Sequence, residues 1–240
     1  MIPPRTLDFV GGTNYRGVGL EFRNLFVQYG GLKPEDRVLD VGCGIGRMAA
    51  PLTGYLAANG EYQGFDIVKK GVVWSQKHIT SRYPNFHFLH SDVKNKFYNP
   101  GGVHEASSYR FPYPDDNFDF VFLTSVFTHM FPADLEHYLK EIARVLKKGG
   151  TSFITMFLLN EESQKLIQQG SSTQNFVFKL EGCVTADPQN PEASLAFDER
   201  GVRESFARSG LTIREPIHYG AWCGRKEFLS YQDIVIAIKN

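Results

Sequence analysis

The chain has 240 residues, of which 42% are hydrophobic and 22% are charged, as in an ordinary globular protein. Lysine plus arginine and aspartate plus glutamate both number 26, so the formal net charge is zero and the basic excess of a phosphate-neutralising nucleic-acid protein is absent. No apolar run approaches the roughly 20 residues that cross a bilayer, and the first residues do not resemble a secretory signal. Three scattered cysteines exclude a disulfide framework or a cysteine-rich zinc site and suit a reducing compartment, so we expect a cytoplasmic protein.

The chain begins with a segment, residues 1–30, that we predict to be a lid or a helix. Within it, residues 9–17 combine glycines with Tyr15 and Arg16 ahead of a helical pattern. Such a segment can fold over a bound ligand, although a flexible terminus fits the composition nearly as well.

Short apolar, β-rich runs then alternate with turns and helical patterns. The clearest helix follows the fourth run, where Leu135, Leu139 and Ile142 keep helical spacing and a Lys-Lys-Gly-Gly sequence at 147–150 predicts its end. Strands that alternate with helices indicate βαβ units, and therefore a parallel sheet between helices. The five predicted strands cover residues 37–41, 62–67, 86–90, 118–123 and 151–156.

The end of the chain departs from this alternation. Residues 211–215 and 233–238 are strand-like, and only a loop of aromatic residues and glycine joins them. A connection without a helix favours antiparallel pairing, so we expect a mostly parallel sheet with one antiparallel strand. Two long polar segments, 93–114 and 160–199, are predicted insertions that shape a binding pocket within a single domain, residues 1–240.

The first strand runs directly into a glycine-rich turn, with the sequence VLDVGCGIGR at residues 38–47. Glycine permits a sharp turn and a close ligand approach, and the following helix start offers free N–H groups. The spacing is G-x-G-x-G, whereas the dinucleotide fingerprint is G-x-G-x-x-G. A nicotinamide-dependent oxidoreductase is therefore disfavoured.

Two aspartates follow later strands of the same sheet. Asp66 ends the second strand twenty residues after Gly46, where a carboxylate can accept hydrogen bonds from both ribose hydroxyls of a nucleoside. Asp92 follows the third strand and is placed to accept from an adenine amino group.

With these motifs the sequence resembles the class I S-adenosylmethionine-dependent methyltransferases. The resemblance rests on LDVGCGIG at 39–46, GFDI at 64–67, SDV at 91–93 and the segments 111–121 and 142–150, all in the family's order. It implies a doubly wound, Rossmann-like α/β fold: a mostly parallel seven-stranded sheet, helices on both faces and an antiparallel last strand. It also implies S-adenosylmethionine as cofactor and S-adenosylhomocysteine as product.

The resemblance further implies which residues hold the cofactor. The glycines would pass under its methionine part, and Asp40 would orient the loop or the cofactor's amino group. Cys43 is expected to be a small packed residue of the turn, and Ser125 to lie near the methyl donor. The predicted cofactor-binding residues are Asp40, Gly42, Cys43, Gly44, Gly46, Asp66, Ile67, Asp92, Val93 and Ser125.

His129 follows the fourth strand, on the side where substrates bind in this fold. We predict that it is the general base or a substrate contact; the alternative is a histidine that caps the next helix. His218, with Tyr219, is a second candidate. Thr124 and Ser125 stand where metal-dependent members carry acidic ligands, so no metal is expected.

The predicted function is methyl transfer to a small-molecule or glycan acceptor, with a hydroxyl as the expected acceptor group. A nucleic-acid methyltransferase is the first alternative, but residues 123–126 read LTSV instead of an acidic or amide residue followed by Pro-Pro-aromatic. A non-catalytic cofactor-binding protein is the second. Oxygen, nitrogen and carbon acceptors, and the oligomeric state, stay open at this level.

Overall fold

A computed structural model of the chain describes residues 2–4 and 14–240. All seven predicted strands lie in one sheet. They are β1 (Arg37–Val41), β2 (Glu61–Asp66), β3 (Phe86–His90), β4 (Phe118–Leu123), β5 (Leu146–Met156), β10 (Leu211–Ile213) and β11 (Asp233–Lys239). Their spatial order is β10-β11-β5-β4-β1-β2-β3, which confirms the predicted fold class.

Strands β1 to β5 are parallel to one another, and β11 is antiparallel to both β5 and β10. β5 is longer than predicted because it starts at Leu146, so the segment 147–150 belongs to the strand and does not end the preceding helix. Gly149 takes a φ of +76° there, and the register between β4 and β5 shifts between Phe118 and Phe120. A bulge of this kind lets the pairing with β4 stop after Leu146 and resume at Thr151.

Helices cover both faces of the sheet because its buried strands carry apolar side chains on each face. One face packs on Phe22 and Phe26 at the N-terminal helix and on Val72, and the other packs on Ile142 and Phe206. The helices are α1 (Tyr15–Leu25), α2 (Ala49–Leu52) and α3 (Lys69–Ser75) on the first face, α4 (Pro132–Val145) and α6 (Glu199–Arg208) on the second, and α5 (Glu161–Gln168) outside the main sheet.

The order of the strands reverses between the neighbours β1 and β4. In open α/β sheets such a point leaves a crevice outside the carboxyl ends of the strands, where ligands bind. Since β11 is antiparallel, its first residue lies at this same edge, opposite Met156 at the end of β5. The edge thus collects the ends of five strands and the start of a sixth.

The segment 160–199 contains most of a second, four-stranded sheet, which the sequence did not reveal. Its order is β6-β9-β8-β7, and β9 is parallel to β6 but antiparallel to β8. These strands are two to four residues long; β7 and β8 form a hairpin with two residues between them, whereas β6 pairs with β9 about forty residues later in the chain. The four strands are β6 (Leu158–Leu159), β7 (Phe178–Leu180), β8 (Cys183–Thr185) and β9 (Leu195–Asp198).

Asp233 joins this small sheet to the large one. The carboxylate is fully buried and accepts hydrogen bonds from the Leu158 N–H (2.7 Å), the Gly220 N–H (2.7 Å) and the Trp222 indole N–H (2.8 Å). Trp222 is itself fully buried, and its ring packs against Phe157 with centroids 5.4 Å apart. The contact fixes the loop before β11 against Phe157 and β6, just ahead of the insertion 160–199.

The predicted N-terminal lid falls partly on residues 5–13, outside the described residues. Tyr15 and Arg16 begin α1, and the Tyr15 hydroxyl donates to the carbonyls of Ile45 (3.1 Å) and Gly46 (2.8 Å). Helix α1 therefore contacts the underside of the glycine turn. Within residues 2–4 and 14–240, no helix has the length and apolar character needed to cross a membrane.

Candidate active site

A cleft of about 1130 Å³ lies at the carboxyl edge of the main sheet. Pockets for a single small ligand are typically about 300–1000 Å³, so this cleft has room for a cofactor and an acceptor together. The strand ends form its floor and the two insertions form its walls. Lining residues include Gly42, Gly44, Asp66, Ile67, Val93, Asn95, Tyr98, Ser125, Val126, His129, Phe157, Glu192, Tyr231 and Gln232.

The glycine turn presents only part of its length to the cleft. Gly42, Gly44 and Gly46 have φ angles of +85°, +55° and +72°, which favour glycine over all other residues. The N–H groups of Gly42 (2.9 Å) and Cys43 (3.0 Å) both donate to the Phe65 carbonyl, which holds the turn on β2. Gly42 and Gly44 line the cleft, whereas Cys43 is buried beneath the turn and Gly46 packs toward α3.

Asp66 lies between this turn and the start of α3. Its Oδ2 accepts from the Gly44 N–H and its Oδ1 from the Val68 N–H, both at 2.7 Å. Burial raises the pKa of Asp66, and these N–H groups act in the opposite direction. The carboxylate is therefore fixed at the cleft wall by two backbone contacts.

Asp40 occupies a different environment from Asp66. It is fully buried behind the turn, does not line the cleft, and accepts from the Tyr62 hydroxyl at 2.6 Å through Oδ2. Its Oδ1 makes no hydrogen bond within the described residues. Burial raises the pKa of Asp40 to about 8, with a smaller contribution from the charge of Asp66.

Beyond the third strand, Asp92 does not reach the cleft wall, although its neighbour Val93 does. The Asp92 Oδ1 accepts from the Asn99 side-chain amide at 2.9 Å, and its carbonyl accepts from the N–H groups of Val103 and His104. Asp92 thus holds the insertion 93–114 in its folded form.

Ser125 follows β4 in a conformation that is unusual for a residue with a side chain. Its φ is +60°, and its N–H donates to the Thr155 hydroxyl at 2.9 Å, which in turn donates to the Gln232 side-chain oxygen at 2.6 Å. Left-handed non-glycine residues persist where the surroundings enforce them, commonly at ligand sites. Ser125 lines the cleft beside Val126.

His129 ends a short 3₁₀ turn, Phe127–His129, that the buried Phe127 holds in place. Its Nδ1 lies 2.8 Å from the Glu192 carbonyl. A carbonyl can only accept, so Nδ1 carries the proton and the neutral ring keeps an unshared pair on Nε2. Burial lowers the pKa of His129, which favours that neutral form. α4 begins at Pro132, where Asp134 accepts from the Phe131 N–H, so His129 does not cap this helix.

His218 lies away from His129 and does not line the cleft. Its backbone pairs with Ile234 of β11, and its ring packs against Tyr29 with centroids 5.0 Å apart. The neighbouring Tyr219 donates its hydroxyl to Glu199 at 3.0 Å. The structure therefore does not bring the two predicted catalytic histidines together.

The cleft also contains residues that the sequence reasoning missed. Tyr231 and Gln232 line it because the antiparallel β11 starts at the carboxyl edge, which the predicted pairing could have indicated. Tyr98 and Glu192 come from the two insertions, where no periodicity or motif marks them. Among the residues with described coordinates, no group of three or more His, Cys, Asp or Glu could hold a metal ion.

Comparison with known proteins adds family information to this geometry. Residues 39–154 match a family model described as a methyltransferase domain. The chain is 33% identical over 129 residues to 27-O-demethylrifamycin SV methyltransferase of Amycolatopsis mediterranei, 28% over 158 residues to demethylmenaquinone methyltransferase of Lysinibacillus sphaericus and 30% over 133 residues to sterol 24-C-methyltransferase of Schizosaccharomyces pombe. These matches cover 53%, 66% and 55% of this chain but only 41%, 58% and 30% of the relatives.

Solved structures show the same fold at low sequence identity. The PH0226 protein from Pyrococcus horikoshii has a TM-score of 0.64 and 19% identity, over 98% of this chain and 95% of its own. A SAM-dependent methyltransferase from Methanosarcina mazei has a TM-score of 0.56 and 22% identity, over 89% and 96%. Both likenesses support the fold, and the family model covers the segment that contains the glycine turn and Asp66.

Proposed function

We propose that this protein uses S-adenosylmethionine to methylate a small molecule, with a hydroxyl as the acceptor group. Residues 39–154 match a methyltransferase-domain family model and carry the motifs that resemble the class I S-adenosylmethionine-dependent methyltransferases. The observation that carries the proposal is the position of Asp66. Its carboxylate lies at the end of β2, beside the glycine turn that follows β1 and at the wall of a cleft large enough for two ligands.

The residues present fit the proposed cofactor. A carboxylate offers about four acceptor positions, so beside the Gly44 and Val68 N–H groups Asp66 keeps acceptor capacity for ribose hydroxyls. A Cβ on Gly42 would lie 2.5 Å from Val126 Cγ2, so this position of the cleft lining excludes a side chain and leaves only backbone facing the ligand. When bound, S-adenosylmethionine supplies an electrophilic methyl group for in-line displacement.

The chain's own contribution is to align the acceptor, exclude water and remove a proton. Alignment of two reactants can lower the barrier by roughly 7–11 kcal/mol. We assign proton removal to His129, because its Nδ1–H is committed to Glu192 and its Nε2 accepts no hydrogen bond from the described residues. A positioned base of this kind adds about 10²–10⁴ in rate.

We assign the acceptor to the part of the cleft between the insertions 93–114 and 160–199. Tyr98, Phe157 and Tyr231 line that part together with Val126 and Met130, so it suits an apolar or aromatic acceptor with a polar group directed at His129. The rifamycin, menaquinone and sterol methyltransferases among the relatives are named for acceptors of this apolar kind.

Calorimetry tests the cofactor assignment without knowledge of the acceptor. We expect S-adenosylhomocysteine to bind with one site per chain and NAD to give no heat. Production of S-adenosylhomocysteine from S-adenosylmethionine, measured over a panel of hydroxylated aromatic compounds, then identifies the acceptor. A protein that binds neither S-adenosylmethionine nor S-adenosylhomocysteine would contradict the proposal.

A further inference from the structure

The two insertions that form the walls of the cleft meet at a single side chain. Glu192, in the 3₁₀ turn Pro191–Ala193 of the second insertion, accepts through Oε2 from the Asn95 side-chain amide and from the Lys96 N–H, both at 3.2 Å. Within the described part of the chain, these are the only hydrogen bonds between the segments 93–114 and 160–199. We call this contact the Glu192 bridge.

The main chain of Glu192 also determines the state of the proposed base. Its carbonyl accepts the His129 Nδ1–H at 2.8 Å, which leaves Nε2 as the proton acceptor. Glu192 thus contacts the first insertion through its side chain and the His129 imidazole through its main-chain carbonyl. Any displacement of the 191–193 turn would move both contacts together.

Through Asn95, the Glu192 bridge also affects the position of Tyr98. The Asn95 side-chain oxygen accepts from the N–H groups of Phe97 and Tyr98, both at 3.0 Å, so the orientation of Asn95 sets the 95–98 turn. The Tyr98 ring then packs edge-on against the His129 ring, with centroids 5.7 Å apart and planes at 77°. Glu192 therefore acts on His129 from two directions, through its carbonyl and through Asn95 and Tyr98.

We propose that Glu192 is a positioning residue of the methyl-transfer site, which closes the two insertions over the acceptor and holds the His129 ring and the Tyr98 ring in their working orientation. This inference rests on the proposed function. Glu192 itself exchanges no proton with the acceptor. Its carboxylate contacts Asn95 and Lys96, whereas the proposed cofactor contacts involve Gly44 and Asp66.

Two substitutions separate the role of the side-chain oxygen from a general effect on folding. Glu192→Ala removes the acceptor of both hydrogen bonds, whereas Glu192→Gln keeps one side-chain oxygen that can accept from Lys96. Glu181→Ala is the matched control, because Glu181 is an exposed glutamate of the same insertion whose side chain makes no hydrogen bond to residues 2–4 or 14–240.

Hydrogen–deuterium exchange, measured on the full chain with and without S-adenosylhomocysteine, gives the first readout. In Glu192→Ala we expect the amides of residues 95–98 to exchange about tenfold faster or more, because a hydrogen-bonded amide exchanges only after local opening. Glu192→Gln and Glu181→Ala should stay close to the wild-type rate. Affinity for S-adenosylhomocysteine should change by less than about threefold in all three variants. Unchanged exchange in Glu192→Ala would overturn the inference.

Kinetics with an acceptor found by the panel gives the second readout. We expect Glu192→Ala to raise the KM of the acceptor and to lower kcat by about tenfold each, with the KM of S-adenosylmethionine unchanged and with recovery to within about threefold in Glu192→Gln. Equal losses for both substrates would show a merely structural role and contradict the inference. Failure of the wild type to bind S-adenosylhomocysteine would instead contradict the proposed function, and the exchange experiment without ligand would still test the bridge.

Discussion

The Asp66 carboxylate holds the backbone in place and can still accept hydrogen bonds from a ligand. Both of its oxygens hold backbone N–H groups, of Gly44 and Val68, and each oxygen keeps a second acceptor position. The side chain is therefore oriented before any ligand arrives. A ligand that donates two hydroxyls to it meets an acceptor whose conformational entropy has already been lost to folding.

This arrangement predicts the effect of Asp66→Asn. The amide NH₂ would face one of the two backbone donors, and hydrogen bonds to a charged acceptor contribute about 1.5–3 kcal/mol each. We expect the Kd for S-adenosylhomocysteine to rise about 10–100-fold by calorimetry. Asp198→Asn is the control, because Asp198 also accepts a backbone N–H, from Gly201 at 3.0 Å, but does not line the cleft. Equal affinities of wild type and Asp66→Asn would remove Asp66 from the cofactor site.

His129 and His218 offer a matched pair for the catalytic assignment. We expect His129→Gln to lower the rate of methyl transfer by about 10²–10⁴ and leave the affinity for S-adenosylhomocysteine unchanged, while His218→Gln retains the wild-type rate. The measurement is initial rate with the identified acceptor. A similar loss in both variants would argue against a specific role for His129.

The state of the same histidine predicts a pH dependence. A base must be unprotonated to act, and burial holds the pKa of His129 below the ordinary value for histidine. The rate should therefore rise with pH through that lowered pKa and be constant from about pH 7 upward. A rate–pH profile of kcat checks this, with His129→Gln expected to lose the acid limb.

At the level of elements, the glycine turn depends on close packing as well as on backbone freedom. Gly42 and Gly31 both have positive φ, +85° and +75°, but a Cβ on Gly42 would meet Val126 and a Cβ on Gly31 would meet nothing within 4 Å. Position 42 therefore requires glycine for two reasons: its positive φ and the lack of space for a Cβ beside Val126. The steric requirement arises where β1 and β4 lie side by side at the strand reversal.

The pair Gly42→Ala and Gly31→Ala isolates that requirement. Both should lose about 1–2 kcal/mol of stability to the left-handed backbone, and Gly42→Ala should lose about 1–3 kcal/mol more through overpacking. Urea unfolding measures the difference. We also expect S-adenosylhomocysteine binding to weaken in Gly42→Ala alone; equal stability loss in the two variants would show that Val126 yields without cost.

Much of the main sheet was predictable from the sequence because its strands are short, β-rich apolar runs that alternate with turns and helical patterns. The bounds of β1, β3 and β4 agree with the prediction residue for residue. The antiparallel β11 followed from the missing helix before it. By contrast, β5 begins five residues early, since the chain bulges at Gly149 instead of turning away.

The walls of the candidate site could not be predicted in the same way. The strands of the small sheet are two to four residues long, too short for a period-two pattern, and β6 pairs with a segment about forty residues away in the chain. Tyr98 and Glu192 are placed by these insertions, so no local signal distinguishes them. The glycine turn and Asp66 could be predicted because they directly follow or end a strand that the sequence itself marks.

For the molecule as a whole, the buried Asp40 should make stability depend on pH. Its pKa of about 8 lies above the ordinary 3.8, so the folded chain binds this proton more tightly than the unfolded chain does. Its contribution to stability is then greatest below about pH 4 and declines as pH rises toward 8.

Asp40→Asn tests this dependence directly. The amide oxygen can still accept from the Tyr62 hydroxyl, and no charge has to be buried at high pH. We expect the free energy of unfolding of the variant, relative to the wild type, to increase by more than about 1 kcal/mol from pH 5 to pH 8, since one pKa unit corresponds to about 1.4 kcal/mol. Urea unfolding at several pH values measures it, with Asp198→Asn as a control expected to follow the wild type. Parallel curves for wild type and Asp40→Asn would refute the assignment.

The burial of Trp222 behind Phe157 provides an optical reporter. The chain has two tryptophans, and the other, Trp74, packs on α3 against His78. Trp74→Phe therefore leaves one tryptophan, which can be excited selectively and is separated from the acceptor part of the cleft by a single phenylalanine ring. Compounds that fill this part should alter its emission spectrum even when they carry no group to be methylated, so inhibitors and acceptors can be screened by fluorescence titration before any turnover assay exists.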